Sequence, residues 1–265
     1  INENPNIRAL ISDHWKSLEL IKKENLKKTK IFCLLHSKEI NHKLGSSLNI
    51  RSIKSTNKAD FIIANSNFTK KLAVDSGIDK SKIHIIFPGI HKPKNIENIY
   101  KVKAEKYFGD SFPKIITIAR MDKRKGHDKI LMLIKNLKTK FPKIKYISIG
   151  DGNEEQNILQ LYKKLDLQKH ITFLKNIDHN LKTALISESN LFLMPSRIEK
   201  NSVEGFGISF VESASYGVGS IGGKDGGASD AISHNKTGLI CDGNDLNSIY
   251  ESVINFLSND NFIKY

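Results

Sequence analysis

The strongest constraint on the fold is a rhythm. Short apolar runs recur along the chain, at Ile31–Leu35, Phe61–Ala64, Ile83–Phe87, Ile115–Ala119, Tyr146–Ile149, Ile171–Phe173 and Leu191–Met194. They do not alternate apolar with polar residues, so each must be covered on both faces, as strands of a parallel sheet are. Amphipathic segments lie between them. Asp128–Leu137 puts Ile130, Leu131, Ile134 and Leu137 on one face, and Asn157–Leu165 does the same with Ile158, Leu161, Tyr162 and Leu165. Strand and helix alternating in this way predict an α/β chain with doubly wound parallel sheets. In such folds ligands sit outside the carboxyl ends of the strands, which makes the strand-to-helix loops the places to look for chemistry.

The run Pro88-Gly89-Ile90-His91-Lys92-Pro93 punctuates this rhythm with a glycine and two prolines. It predicts two domains, residues 1–92 and 93–265. The first residue is not Met, and the reading is of a piece cut from a longer protein, its first domain incomplete and its second short of its end. Apolar residues make up 39% of the chain and recur along its length, enough for a buried core.

The net charge of +14 admits a polyanionic partner, but it also fits a surface on which lysine fills the solvated positions. Lys22-Lys23-Glu24-Asn25-Leu26-Lys27-Lys28 supports the second reading, and no nucleic-acid partner is expected. Cys33 and Cys241 are far apart and form no C-x-x-C pair, which argues against a disulfide or zinc site and fits a reducing compartment. No apolar run approaches the roughly 18 residues a membrane span needs.

Four loops carry the candidate chemistry. After Ile115–Ala119 comes Arg120-Met121-Asp122-Lys123-Arg124-Lys125-Gly126, in which four cations crowd the mouth of a strand before a helix N-terminus. The free N–H groups and dipole there favour an anion, so the loop reads as a phosphate site. Gly150-Asp151-Gly152 follows the next strand, allowing either close approach by a ligand or a tight turn. After Leu191–Met194, Glu204-Gly205-Phe206-Gly207 turns into a helix from Ile208 to about Tyr216, closed by Gly217. On one continuous helix Glu204 and Glu212 would lie about 80° apart, but a glycine turn between them lets both face one ligand. Gly222–Gly227 is a further glycine-rich piece lacking both the P-loop and the dinucleotide-binding pattern. Finally, His36, Glu39 and His42 are spaced by three without making an H-E-x-x-H motif, so no metal site is expected.

Taken in order, these pieces resemble a retaining glycosyltransferase of the GT-B fold, family GT4. They are L-H-S-K-E, I-I-A-N-S-N-F-T-K-K-L, I-I-F-P-G-I, A-R-M-D-K-R-K-G, I-G-D-G-N-E, L-M-P-S-R, E-G-F-G-I-S-F-V-E-S-A-S-Y-G and G-G-A-S-D-A-I-S-H-N-K-T-G-L-I. The resemblance runs from about Cys33 to Leu257 and is closest to the mannosyltransferase-like branch that modifies phosphatidylinositol glycolipids.

It implies two Rossmann-like domains: an acceptor domain, here its C-terminal part, and a donor domain. It also implies transfer of a sugar from a UDP- or GDP-sugar to a glycan, lipid or small-molecule acceptor, with retention and with no metal or cofactor. Arg120 and Lys125 match the pair that grips the donor diphosphate. Glu212 matches the acid on the ribose hydroxyls. Glu204, with the N–H groups of Gly205, Phe206 and Gly207, matches the cradle of the sugar and its phosphate, and His36 matches the cleft histidine. Gly150, Gly152 and Ile208 complete the donor set, with Asn176 and Ile177 near the base. A cytoplasmic location is implied, with peripheral contact on an anionic membrane face.

Departures from the family pattern are Ser37 in place of Gly, Lys175-Asn176 in place of a common Gly, and Gly219 in place of Pro. A GT-B sugar-nucleotide epimerase and a polyanion-binding domain remain as alternatives.

Overall fold

The computed structural model describes residues 7–26, 28–259 and 262. By packing, the chain divides into a first unit running to Pro88 and including Lys200–Phe206, and a second comprising Gly89–Glu199 and the chain from Gly207 onward. The change of unit thus falls after Pro88, where the sequence reading put it after residue 92. Lys200–Phe206, expected in the second domain, packs with the first.

The first unit runs β1 (Ala9–Ser12), α1 (Trp15–Glu19), β2 (Lys30–Leu35), α2 (Ser47–Thr56), β3 (Phe61–Ala64), α3 (Asn67–Asp75) and β4 (Ile83–Ile85). Its four strands pair in parallel in the order β1-β2-β3-β4. Ser46 and Ser66 cap α2 and α3, each accepting a hydrogen bond from the N–H three residues on. Trp15, Leu18, Ile31, Cys33, Leu35 and Ile62 anchor the core. β4 stops two residues before the expected Phe87, because Ile86 and Phe87 are exposed and Pro88 has no N–H to extend a ladder.

The second unit runs α4 (Asn98–Phe108), β5 (Lys114–Ile118), α5 (His127–Leu137), β6 (Lys145–Ile149), α6 (Glu155–Lys164), β7 (Ile171–Leu174), α7 (His179–Ser187), β8 (Leu191–Met194), α8 (Ile208–Ser215), β9 (Ser220–Gly223), α9 (Ala228–Ala231), β10 (Gly238–Cys241) and α10 (Leu246–Leu257). All its strands are parallel, in the order β10-β9-β8-β5-β6-β7. One apolar layer, with Ile130, Ile134, Tyr146 and Phe256, covers one face of the sheet. A second, with Phe108, Ile116, Phe192 and Phe210, covers the other. From β5 the chain winds outward through β6 and β7, then returns to the other side for β8, β9 and β10. The winding therefore reverses between β5 and β8, and a doubly wound sheet offers its ligand crevice outside the carboxyl ends of the strands at such a reversal.

β9 and β10 were not among the expected strands. The glycine-rich stretch from Gly222 is not all loop, since Gly222 and Gly223 end β9. Glycine is a poor strand former, but a Cβ on Gly222 would press on Ile232 at 2.7 Å and Phe210 at 3.0 Å. Packing overrides propensity there.

Candidate functional site

In the second unit the reversal point is built from two loops. The loop after β5 carries Arg120, passes through a 3-10 turn at Lys123–Lys125 and enters α5 from Gly126, whose φ is 80°. The loop after β8 carries Pro195, Ser196 and Arg197. Arg197 joins the two: its guanidinium donates in parallel to both carboxylate oxygens of Asp128, at 3.0 and 2.9 Å, and its N–H donates to the Arg124 carbonyl at 2.9 Å. The Arg197 side chain is only 6% exposed, so this is a mostly buried, two-pronged pair that fixes the start of α5.

The two predicted diphosphate cations occupy different environments. Arg120 is two-thirds exposed, with Asp122 3.4 Å from its guanidinium. Lys125 is buried, and its Nζ lies 3.5 Å from the Met194 sulfur at the end of β8. His127 sits under the loop. Its Nε2 lies 3.3 Å from the Arg120 carbonyl, and its Nδ1 is 3.3 Å from the Tyr146 hydroxyl and 3.4 Å from that of Ser148. A neutral imidazole satisfies this set, with Nε2–H donating to the carbonyl and Nδ1 accepting from a hydroxyl. Burial pushes the His127 pKa down to about 4, with Lys125 adding to the fall. His127 therefore holds the backbone of Arg120 as an uncharged group.

Gly150 and Gly152 serve the turn. Gly150 has φ 136°, and a Cβ there would collide with the Ala119 carbonyl, while one on Gly152 would lie 2.7 Å from the Met121 carbonyl. The loops after β5 and β6 instead exchange hydrogen bonds, Met121 N–H to the Asp151 carbonyl at 2.7 Å and Glu154 N–H to the Met121 carbonyl at 2.9 Å. Of the two readings for these glycines, the tight turn is the one their surroundings support, since the close neighbours are backbone atoms of the loop after β5.

α8 is flanked by Gly207, with φ 88°, and Gly217, with φ 76°, as its residues predicted. Ile208 and Glu212 of α8 line a cavity of about 600 Å³, together with Thr183 and Asn180 of α7 and the segment 89–96. That volume is in the range of small-molecule sites. Glu212 is paired with Lys182 of α7. Asn176 takes the left-handed conformation, φ 48°, which Asn tolerates better than most residues, so it does the backbone work of the Gly expected there. Ile177 packs against the apolar layer, and neither it nor Asn176 lines the cavity.

The remaining predicted residues lie in the first unit. His36 follows β2, and its Nε2 is 2.9 Å from a carboxylate oxygen of Asp13, which follows the neighbouring strand β1. Ser37 is buried at φ 89°, a strained conformation for a residue with a side chain, and its hydroxyl lies 2.5 Å from that of Thr69. Gly205 packs against this turn: a Cβ there would strike the His36 carbonyl and come within 3.0 Å of the Ser37 hydroxyl. Phe206 stacks on Phe87 with ring centres 5.8 Å apart, and Glu204 is buried. These contacts go with the segment Lys200–Phe206 belonging to the first unit, so Glu204 is a residue of the first unit and Glu212 one of the second.

His36, Glu39 and His42 do not gather. Glu39 accepts from the His36 N–H at 2.6 Å, and the His42 ring meets Trp15 edge-on. Among the described residues no group of three His, Cys, Asp or Glu side chains is placed to hold a metal ion, and no helix is long and apolar enough to cross a membrane.

Sequence reasoning missed Asp13, His127, Lys182 and the Arg197–Asp128 pair. Arg197 ended the L-M-P-S-R motif and Asp128 opened the amphipathic segment after the basic loop, both at the same reversal. Asp13, which follows β1, belonged to no motif singled out from the sequence.

The family model for glycosyl transferases group 1 matches residues 99–265. The chain belongs to this family. A GDP-mannose-dependent alpha-(1-6)-phosphatidylinositol monomannoside mannosyltransferase of Mycobacterium tuberculosis is 28% identical over 147 residues, 55% of this chain and 38% of that protein. The O-antigen biosynthesis glycosyltransferase WclY of Escherichia coli is 32% identical over 143 residues, 53% and 37% of the two chains. This group 1 chain thus spans well under half the length of either relative. Among solved structures, Anabaena Alr3699/HepE in complex with UDP superposes with a TM-score of 0.80 at 17% identity, over 95% of this chain and 69% of that one. That likeness establishes the fold: two Rossmann-like parallel-sheet units of the GT-B type.

Proposed function

We propose that this protein transfers a sugar from a UDP- or GDP-sugar to an acceptor hydroxyl, as a GT4 enzyme with retention of anomeric configuration. One observation carries the reading. Where the winding of the second sheet reverses, Arg120 and Lys125 stand on a braced loop at the entrance to α5, and the same unit holds a nucleoside-sized cavity walled by Glu212. A nucleoside diphosphate needs this combination of fixed cations for the phosphates and a carboxylate for the ribose hydroxyls.

The transfer breaks the bond between the anomeric carbon and the diphosphate oxygen, whose electron pair leaves with the phosphate. Negative charge grows on that oxygen as positive charge grows on the sugar. Preorganised cations stabilise such a separation by about 3 kcal/mol each in comparable sites. Arg120 and Lys125 take that role, and the reading calls on no metal or cofactor. Glu204, buried in the first unit, orients the donor sugar, and His36 acts on the acceptor side. The acceptor oxygen forms the new bond and passes its proton to a donor phosphate oxygen on the same face.

The acceptor class is a glycan or a lipid-linked glycan, supported by what the mycobacterial and O-antigen relatives are named for. The enzyme works in the cytoplasm, and its +14 charge suits peripheral contact with an anionic membrane.

The test is to incubate the protein with UDP- and GDP-sugars and candidate acceptors. Acceptor-stimulated release of UDP or GDP, with the donor's anomeric configuration kept in the product, is expected. Absence of release with every donor, together with absence of nucleotide binding, contradicts the reading.

A further inference from the structure

The Glu212–Lys182 pair is absorbed by neither the sequence motifs nor the proposed roles. Asp178 caps α7, its carboxylate accepting from the N–H groups of Asn180 at 2.8 Å and Leu181 at 3.4 Å, so Lys182 springs from a fixed first turn. Its ammonium holds Oε1 of Glu212, and both side chains are 22% exposed. Glu212 lines the cavity of about 600 Å³, whereas Lys182 does not. The ammonium therefore grips the carboxylate from outside the cavity wall. The Lys182 ammonium engages Oε1 of Glu212, not Oε2.

A carboxylate gripped by one oxygen keeps a single orientation instead of sampling several. Its second oxygen has lone pairs to accept from the two adjacent hydroxyls of a ribose. We propose that Lys182 is a positioning residue for nucleoside recognition, holding Glu212 so that Oε2 meets the ribose diol. The proposal rests on the functional reading above, in which Glu212 takes the ribose. It makes Lys182 act through Glu212 alone, touching neither phosphate nor base.

The experiment measures equilibrium binding of UDP and GDP, and of their 2′,3′-dideoxy counterparts, to the protein and to Lys182→Met, Lys182→Gln and Lys182→Arg. The expected pattern is specific. The unmodified protein binds the ribo form of its nucleotide about tenfold more tightly than the dideoxy form, the size expected for a hydrogen bond to a charged group. Lys182→Met and Lys182→Gln weaken the ribo form about tenfold and the dideoxy form less than about twofold, while Lys182→Arg restores the ribo preference.

A Lys182 that only ties two helices together, or that touches the phosphates, weakens both forms equally, and that result overturns the proposal. So does an unchanged ribo preference in the Met and Gln variants. If the unmodified protein binds neither form, the functional reading falls and takes this proposal with it. If it binds and discriminates while the variants behave like it, only the proposal about Lys182 falls.

Discussion

Arg120 and Lys125 show how one loop supplies two kinds of charge. Arg120 is exposed with its guanidinium 3.4 Å from Asp122, whereas Lys125 is buried with its Nζ 3.5 Å from the Met194 sulfur at the end of β8. Lys125→Met and Arg120→Ala are each expected to lower kcat about 100-fold, with a far smaller effect on the unfolding midpoint. Thermal melts and steady-state rates on the same samples check this, and a parallel loss of both would make the pair structural. Gly150 lies at the opposite extreme. With φ 136° and the Ala119 carbonyl where a Cβ would go, Gly150→Ala is expected to cost about 2–4 kcal/mol of stability in urea melts. The sequence offered two readings for that glycine, a ligand or a turn. It could not choose, because the deciding atom belongs to a loop 31 positions earlier in the chain. Ser37 was equally opaque: the absent glycine was plain, but not that Ser would adopt a left-handed turn at φ 89° beside Thr69.

At the level of elements, the loops after β5 and β8 behave as one unit because Arg197 and Asp128 clasp each other. Removing one partner of a mostly buried pair leaves the other charge without compensation, at a cost of about 3–5 kcal/mol, discounted here because Asp128 is one-third exposed. Asp128→Asn is expected to destabilise by about 2 kcal/mol, and a double-mutant cycle with Arg197→Met should return a coupling of about 1–3 kcal/mol. Additive effects would show that the clasp is incidental.

Elements with strong apolar runs, such as β2, β5, β6 and β8, were legible from the sequence, as were α5 and α8 with its two glycine ends. Those that were missed explain themselves. β9 reads Ser-Ile-Gly-Gly and β10 opens on Gly238, so neither advertises a strand, and only burial between helices makes them strands. The change of unit at Lys200–Phe206 had no local signal either, because it follows from Gly205 fitting against the His36 carbonyl and Phe206 stacking on Phe87.

For the whole molecule, His127 links stability to pH. Its pKa is about 4 when folded and 6.5 in the unfolded reference. Between those values the unfolded chain binds more protons, so this contribution is full above pH 6.5 and is lost as pH falls towards 4. Its size is on the order of 3 kcal/mol. Urea melts at pH 7.5, 6, 5 and 4.5 should show this slope, and His127→Gln should flatten it. An unchanged slope would place the titrating group elsewhere. The two parallel sheets followed from the rhythm of the chain, and the division into two units from the Pro88–Pro93 run. The partnership of Lys182 with Glu212 did not, since two helices must pack before it exists. The most direct test of the central claim is calorimetric titration with UDP, GDP, UMP and GMP. One nucleoside diphosphate should bind at least about tenfold more tightly than its monophosphate, with that advantage lost in Arg120→Ala. If the folded protein binds no nucleoside diphosphate, or binds diphosphate and monophosphate alike, the assignment of a nucleotide-sugar site at the β5–β8 reversal is wrong.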